Sequence, residues 1–346
     1  MSTKKSTDLN RLKLIRIAQS LEEELNHSIF GQKELITDTI CTFLAKGHIL
    51  ITGAPGLAKT TLVRIFASKL GLKFGRIQFT PDLLPSDITG SEILNFDSKN
   101  SKRSFEFAPG PIFVNLLLGD EINRASPRTQ SALLEAMQEN KVTIKDQSHE
   151  IFSPFMILAT QNPYESEGVF PLPEAQLDRF LLHTFITYPD KKAEEDILSA
   201  HVNNKLCNES SQKQHKSFKK NSIIEQLLEA SQNIHVPKEI ITVIYDLVSS
   251  TRPNHCTLEK HQDSIIYGAG PRAGIGLISI TRALAFLKGE EVVCWKHIER
   301  MALPTLRHRI KLTHDARHDG ITEDMFLSDL LSHIKEKYKK IVQGIL

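Results

Sequence analysis

The chain has 346 residues, enough for two domains or one domain with a lid, and its 43 basic against 41 acidic residues leave a net charge of +2. That balance is an ordinary solvated surface and excludes the large basic excess of a protein built to coat nucleic acid. Four scattered cysteines, Cys41, Cys207, Cys256 and Cys294, form no C-x-x-C pair and read as isolated thiols of a reducing compartment, not as a zinc site or a disulfide framework.

The start, Met1 to Lys13, is polar and lacks the apolar core of a signal peptide, and no apolar run is long enough to span a bilayer. A cytoplasmic location without membrane insertion is therefore expected. Leu14, Ile17, Ala18, Leu21 and Leu25 recur at helical spacing and predict an N-terminal helix over Leu9–Leu25. Apolar runs at His48–Thr52, Phe74–Phe79, Phe113–Leu118, Phe155–Thr160 and Phe180–Ile186 read as strands, with helical patterns between several of them, notably Thr61–Leu70 and Thr129–Glu139. Strands alternating with helices predict an α/β fold whose parallel sheet is covered on both faces. Two pairs of short runs, Ile93–Phe96 with Ser104–Phe107 and Val142–Ile144 with His149–Phe152, flank turn-like segments and read as inserted β-hairpins, either structural ribs or substrate contacts. Past Pro189 the strand signals fade and helical patterns dominate through Ile223–Ala230, Ile240–Ser249, Gly276–Leu287 and Asp324–Lys335. The reading is a sheet domain over residues 1–190 and a smaller all-α domain over 191–346. The lysine-rich stretch Asn203–Asn221 fits a solvated loop better than a nucleic-acid arm.

The strongest chemical signal is Gly53-Ala54-Pro55-Gly56-Leu57-Ala58-Lys59-Thr60, between the apolar run Ile49-Leu50-Ile51 and a helical pattern. It follows the phosphate-binding loop G-x-x-x-x-G-K-S/T, with Ala58 where the second glycine stands. Backbone N–H groups of such a loop and the positive end of the following helix hold a polyphosphate. The nucleotide would lie on this segment and Thr61, with Lys59 reaching the terminal phosphates and the Thr60 hydroxyl placed on Mg²⁺. Alanine at 58 asks for a backbone conformation that tolerates a methyl group, such as the start of a helix.

The second signal is Leu116-Leu117-Leu118-Gly119-Asp120-Glu121, an apolar strand ending in two carboxylates. Asp120 would hold Mg²⁺ through its water shell, and Glu121 would orient and polarise the attacking water. Downstream, the strand at Phe155–Thr160 ends in Gln161-Asn162-Pro163, where Asn162 is either a turn residue or an amide facing the γ-phosphate and the water. Arg179, in Leu177-Asp178-Arg179-Phe180, could cap a helix, pair with Asp178, or act as an arginine finger on the transferred phosphoryl group. Arg272, in Gly268-Ala269-Gly270-Pro271-Arg272, opens a helix and is either a surface charge or a lid residue folded over the nucleotide.

Together these segments resemble the MoxR family of AAA+ ATPases. The likeness runs through Gly53–Thr60, Arg76–Thr80, Leu83–Gly90, Gly110–Phe113 and Asp120–Ala125. It continues in Ser131–Glu139, Ala159–Pro163, Leu172–Phe180, Gly268–Ala273 and Leu306-Arg307-His308-Arg309, covering about residues 28 to 312. The resemblance implies an AAA+ αβα sandwich followed by a helical lid, and a Mg²⁺-dependent ATPase with ATP as its nucleotide. It implies that Gly31 and Gln32 sit near the adenine, that Asn162 and Arg272 are the first and second sensors, and that Arg179 reaches into a neighbouring subunit's site. Proteins of this kind form rings, usually of six, and the two hairpins would be the helix-2 insert and the pre-sensor hairpin.

The resemblance also implies chaperone-like remodelling or maturation of protein partners, including partners with von Willebrand factor A domains. A nucleic-acid motor is the alternative, since related AAA+ branches carry the same hairpins. The near-neutral charge and an aromatic content of 7% speak against a nucleic-acid partner. Leu83, Leu84 and Phe107 are either core or client-contact residues.

Overall fold

The computed structural model describes residues 2–54, 56–97, 102–164, 168–202 and 221–340. Pro55, the tip of the first hairpin and nearly all of the polar stretch Asn203–Asn221 lie outside the described residues. In chain order the larger elements begin with helices α1 (Ser2–Ser28) and α2 (Lys33–Leu44), strand β1 (Ile49–Gly53), α3 (Lys59–Leu70), β2 (Phe74–Gln78) and α4 (Pro85–Thr89). Next come β3 (Gly90–Asp97), β4 (Lys102–Pro109), β5 (Leu116–Asp120), α5 (Pro127–Glu139), β6 (Lys141–Ile144), β7 (Gln147–Glu150) and β8 (Met156–Gln161). The short α6 (Glu174–Leu177), β9 (Leu182–Ile186), α7 (Lys191–Val202), α8 (Asn221–Gln232) and α9 (Lys238–Ser249) lead into the last third. That part holds β10 (Ile265–Tyr267), α10 (Pro271–Leu287), α11 (Trp295–Leu306), β11 (Lys311–Leu312), α12 (His314–His318) and α13 (Glu323–Lys337).

Five strands form one sheet in the order β2-β5-β8-β1-β9, and every neighbouring pair is parallel. The run Leu116-Leu117-Leu118 is unbroken because both faces of its strand are covered. Ile49, Ile51, Leu116, Leu118, Leu158 and Leu182 pack in one cluster with the buried side of α3, including Leu62, Phe66 and Leu70. Leu50, Leu117, Ile157 and Phe180 face the opposite way, onto Leu133, Leu134 and Met137 of α5. Helix α5 starts where Ser126 caps it, its hydroxyl accepting the Thr129 N–H at 3.4 Å, with Pro127 in the first turn.

Local pattern and structure differ in instructive places. Phe113 lies in the turn before β5 and Val114 precedes the strand, which begins only at Leu116. Apolar content alone cannot separate a buried turn from a strand. Helices α2 and α11 are not among the expected elements: α2 is buried on most sides, and α11 carries Pro304 within it. The second domain is helical but carries a small antiparallel ribbon, β10 with β11.

The two hairpins touch each other. Phe107 of β4 stacks on His149 of β7 with ring centroids 3.9 Å apart and planes 22° apart, and meets Phe113 edge-on. Lys145 at the second hairpin's turn pairs with Glu92 of β3. Phe107 is thus a packing residue between hairpins, Leu83 packs on the α5-side core, and Leu84 is exposed.

The helical part is anchored to the sheet domain by buried polar groups. Asp38 of α2 accepts from Arg300 Nη2 at 2.7 Å and from Thr184 Oγ1 of β9 at 2.8 Å. Burial raises the Asp38 pKa, and the Arg300 charge and the Thr184 hydrogen bond partly offset that. Helix α1 touches both parts, since Glu24 pairs with Lys69 of α3, while Gln19 Nε2 donates to Leu287 O at 3.0 Å and Arg11 pairs with Glu291. Among the described residues no helix is long and apolar enough to cross a membrane.

Candidate functional site

The topology brings the C-terminal ends of β1, β5 and β8 side by side. The loop after β1, the carboxylates ending β5 and the amide after β8 therefore meet at one edge of the sheet. They border a cavity of about 340 Å³ lined by Gly53, Gly56 to Thr61, Asp120, Glu121 and Asn162, with Arg76, Gln78 and Thr160.

The loop turns through two left-handed residues. Gly56 has φ +82, and Ala58, at the N-terminal cap of α3, has φ +56 and ψ +16. The expectation of an ordinary helix-start conformation at 58 is thus corrected. The backbone keeps the conformation a glycine would supply, and the alanine methyl carries a steric cost of roughly 1–2 kcal/mol. The Lys59 ammonium folds back on the loop, donating to Gly53 O at 3.0 Å and Ala54 O at 3.2 Å. Burial pulls its pKa below the ordinary lysine value, and Asp120 and Glu121 oppose that shift.

Four residues without an assigned role in the sequence organise the carboxylates. Arg76 Nε of β2 donates to Asp120 Oδ2 at 2.7 Å. Gln78 Nε2 donates to Glu121 Oε2 at 2.8 Å, and Arg124 Nε lies 3.0 Å from the same oxygen. The Thr160 hydroxyl donates to Asp120 Oδ1 at 3.3 Å and accepts the Glu121 N–H at 3.0 Å. Glu121 is itself left-handed, with φ +60 and ψ +49, a conformation sparsely used by non-glycine residues. All four lie inside motif segments, but only the strand pairing shows which carboxylate each one serves.

Thr60 and Asp120 offer hard oxygen donors on one cavity, the donor type that Mg²⁺ takes. Asn162 is buried, and its Oδ1 accepts the Tyr164 N–H at 3.1 Å. It also borders a second cavity of about 730 Å³ between the sheet and the helical part, where His183 meets Thr52 Oγ1 at 2.8 Å. Burial, assisted by the Arg307 charge, pulls the His183 pKa down to about 3.

Other expected residues lie away from the loop cavity. Gly31 packs on the segment after β9, where an added Cβ would meet Pro189 Cβ at 2.7 Å, and Gln32 Nε2 donates to Thr187 O at 3.3 Å. Arg179 neither caps a helix nor pairs with Asp178, because its Nη1 donates to Leu134 O of α5 at 2.6 Å. Arg272 does not line the loop cavity in this structure. It pairs with Asp178 Oδ2 at 3.0 Å. Glu290, Cys294 and His297 cluster within reach of one another, but as the start of α11: the Cys294 N–H donates to His297 Nδ1 at 3.0 Å and Lys296 pairs with Glu290.

A five-stranded parallel sheet with a phosphate loop after its first strand, a carboxylate pair at the tip of a neighbouring strand and a helical lid defines an AAA+ ATPase. Residues 48–182 match the ATPase family associated with various cellular activities (AAA), and residues 259–330 match the AAA lid domain. The chain is 38% identical over 318 residues to the uncharacterised protein YeaC of Bacillus subtilis, covering 90% of this chain and 92% of that one. It is 37% identical over 312 residues to chaperone MoxR1 of Mycobacterium tuberculosis, covering 90% and 80%. A solved structure of a candidate ATPase from Cytophaga hutchinsonii superimposes with a TM-score of 0.85 at 35% identity, covering 96% of this chain and 98% of that one. The chain belongs to the MoxR family of AAA+ ATPases, and it binds and hydrolyses ATP.

Proposed function

We propose that this ATPase is Mg²⁺-dependent, assembles as a ring of six subunits, and spends ATP turnover on remodelling or maturing protein partners. The observation that carries the catalytic part is the convergence of loop, carboxylate pair and amide on one cavity. Lys59 and the N–H groups of Gly56 to Thr61 hold the phosphates. Thr60 and Asp120 would hold Mg²⁺, which neutralises phosphate charge when bound. The Glu121 carboxylate takes the proton of the attacking water, and the Asn162 amide orients that water against the terminal phosphate. Gly31 and Gln32 belong to the adenine end of the site.

Assembly is supported by where the arginines stand. Neither Arg179 nor Arg272 lines the loop cavity of its own chain, and both sit at the corner formed by Asp178. The Arg179 guanidinium, if it stabilises a phosphoryl group from there, serves a neighbouring subunit's nucleotide, and Arg272 is the second sensor, carried on the lid. Chaperone-like action follows the name of the mycobacterial relative, and a partner with a von Willebrand factor A domain follows the family. Residues 1–190 act as the nucleotide-binding core and 191–346 as the lid.

Specific ATPase activity should rise with protein concentration as subunits assemble, and Arg179→Ala subunits mixed with Glu121→Gln subunits, each inactive alone, should regain activity. Activity independent of concentration, with no regain in that mixture, would refute the ring. A pull-down in ATP with Glu121→Gln should recover a protein with a von Willebrand factor A domain, and recovery of none would remove that partner.

A further inference from the structure

Arg309 lies between α11 and β11 at the end of the Leu306-Arg307-His308-Arg309 segment, and only 5% of its surface is exposed. Its guanidinium is turned onto the turn that contains Arg179. Nε donates to Asp178 Oδ1 at 2.8 Å, and Nη2 donates to Asp178 O at 3.0 Å and Phe180 O at 2.7 Å. Nη1 reaches Leu181 O at 3.3 Å and closes on its own helix end at Thr305 O, 2.5 Å away. The neighbouring His308 Nε2 lies 3.0 Å from Phe180 O. The carbonyls on both sides of Arg179 are therefore claimed by the lid.

We propose that Arg309 is a positioning residue for Arg179: it fastens the turn Asp178–Leu181 to the lid, so that the lid's placement sets where Arg179 is presented to a neighbouring subunit. The proposal rests on the reading that Arg179 acts across a subunit boundary. Two further observations favour it. The second oxygen of Asp178 is taken by Arg272, at the start of α10, so two lid arginines share one core carboxylate. Among the described residues the Arg179 guanidinium has one hydrogen bond, to Leu134 O, so it can leave α5 at small cost while its backbone stays clamped. Lysine cannot replace Arg309, because one ammonium cannot match a planar fork of five donors aimed at a carboxylate and a row of carbonyls.

The test separates action on a neighbour from damage to the chain's own site. Arg309→Lys should lower kcat by about 100-fold, the scale expected when a reacting group is displaced by about 1 Å, with ATP affinity within about threefold of wild type. Glu121→Gln subunits, inactive alone, still carry a well-placed Arg179. Mixing them with Arg309→Lys subunits should restore activity, because the intact Glu121 of one can face the intact Arg179 corner of the other. Arg179→Ala mixed with Glu121→Gln is the control. If the control pair regains activity and the Arg309→Lys pair does not, Arg309 is only a structural residue and the proposal is overturned. If the control pair also stays inactive, the ring reading itself falls and takes the proposal with it. Should Arg309→Lys fail to fold, Asp178→Asn, at a partly exposed side chain, removes the clamp's charge and is read by the same mixing with the same outcomes.

Discussion

Asp120 accepts a 2.7 Å hydrogen bond from Arg76 Nε, so the carboxylate that ends β5 is paired with a cation from the neighbouring strand. Arg76 is half-exposed, and water screens the pair to at most about 1 kcal/mol. A metal at Asp120 must compete with that guanidinium. Arg76→Gln should therefore lower the Mg²⁺ concentration for half-maximal hydrolysis by up to about fivefold, measured at saturating ATP. An unchanged or higher Mg²⁺ requirement would show that the pair does not compete with the metal.

Removing the Glu121 carboxylate should uncouple binding from hydrolysis. Glu121→Gln keeps a side chain of the same shape beside Gln78 and Arg124. Turnover should fall at least about 100-fold, the size of a general-base contribution, with ATP affinity retained. Undiminished turnover would remove Glu121 from the mechanism.

The Thr160 hydroxyl ties the two acids together through Asp120 Oδ1 and the Glu121 N–H. Thr160→Val is nearly isosteric but leaves that N–H without its partner, a loss of about 1–3 kcal/mol. We expect kcat to drop about tenfold or more with ATP affinity unchanged, and Thr160→Ser to restore it. If Ser fails where Thr works, the methyl group and not the hydroxyl is the important part.

Ala58 tests backbone against side chain. In Ala58→Gly, relief of the left-handed strain at φ +56 is opposed by a more flexible unfolded chain, so stability should move by less than about 1 kcal/mol. ATP binding should persist. Ala58→Val places a β-branched residue at a left-handed position beside the phosphate cavity and should weaken ATP binding by about tenfold. Isothermal titration calorimetry with both variants decides the matter, since loss of binding in the glycine variant would mean that the methyl group has a role of its own.

His48 makes the fold sensitive to acid. Its Nδ1 accepts the Ile157 N–H at 3.0 Å and its Nε2 lies 3.2 Å from Met137 O, an arrangement that suits the neutral ring. Burial lowers its pKa from 6.5 to about 4. The folded state thus disfavours the proton: the contribution is whole above pH 6.5 and is lost as pH falls toward 4, on the order of 3 kcal/mol in all. Denaturant unfolding between pH 7 and about 4.5 should show this decline, and His48→Gln, which cannot titrate, should show a shallower one. Equal slopes would mean that His48 does not report burial in this way.

The five strands of the parallel sheet, the phosphate loop and the carboxylate pair are legible in the amino-acid order alone. Apolar runs such as Ile49-Leu50-Ile51 and Leu116-Leu117-Leu118 encode burial on both faces, and the loop chemistry is local, carried by residues within one turn of each other. Even the exceptional Ala58 was legible as a position, though its left-handed backbone was not. The partners of these groups are set by how the elements pack. Thr160 serves Asp120 from 40 residues away, Gln78 reaches Glu121 from another strand, and Phe107 meets His149 across two hairpins. Arg179 and Arg272 stand out as arginines, but that Arg179 rests on Leu134 O of α5 and Arg272 on Asp178 follows from packing through space. Periodicity records whether a side chain is buried, whereas strand order and lid docking fix which polar atoms come within hydrogen-bonding reach, and that is settled through space.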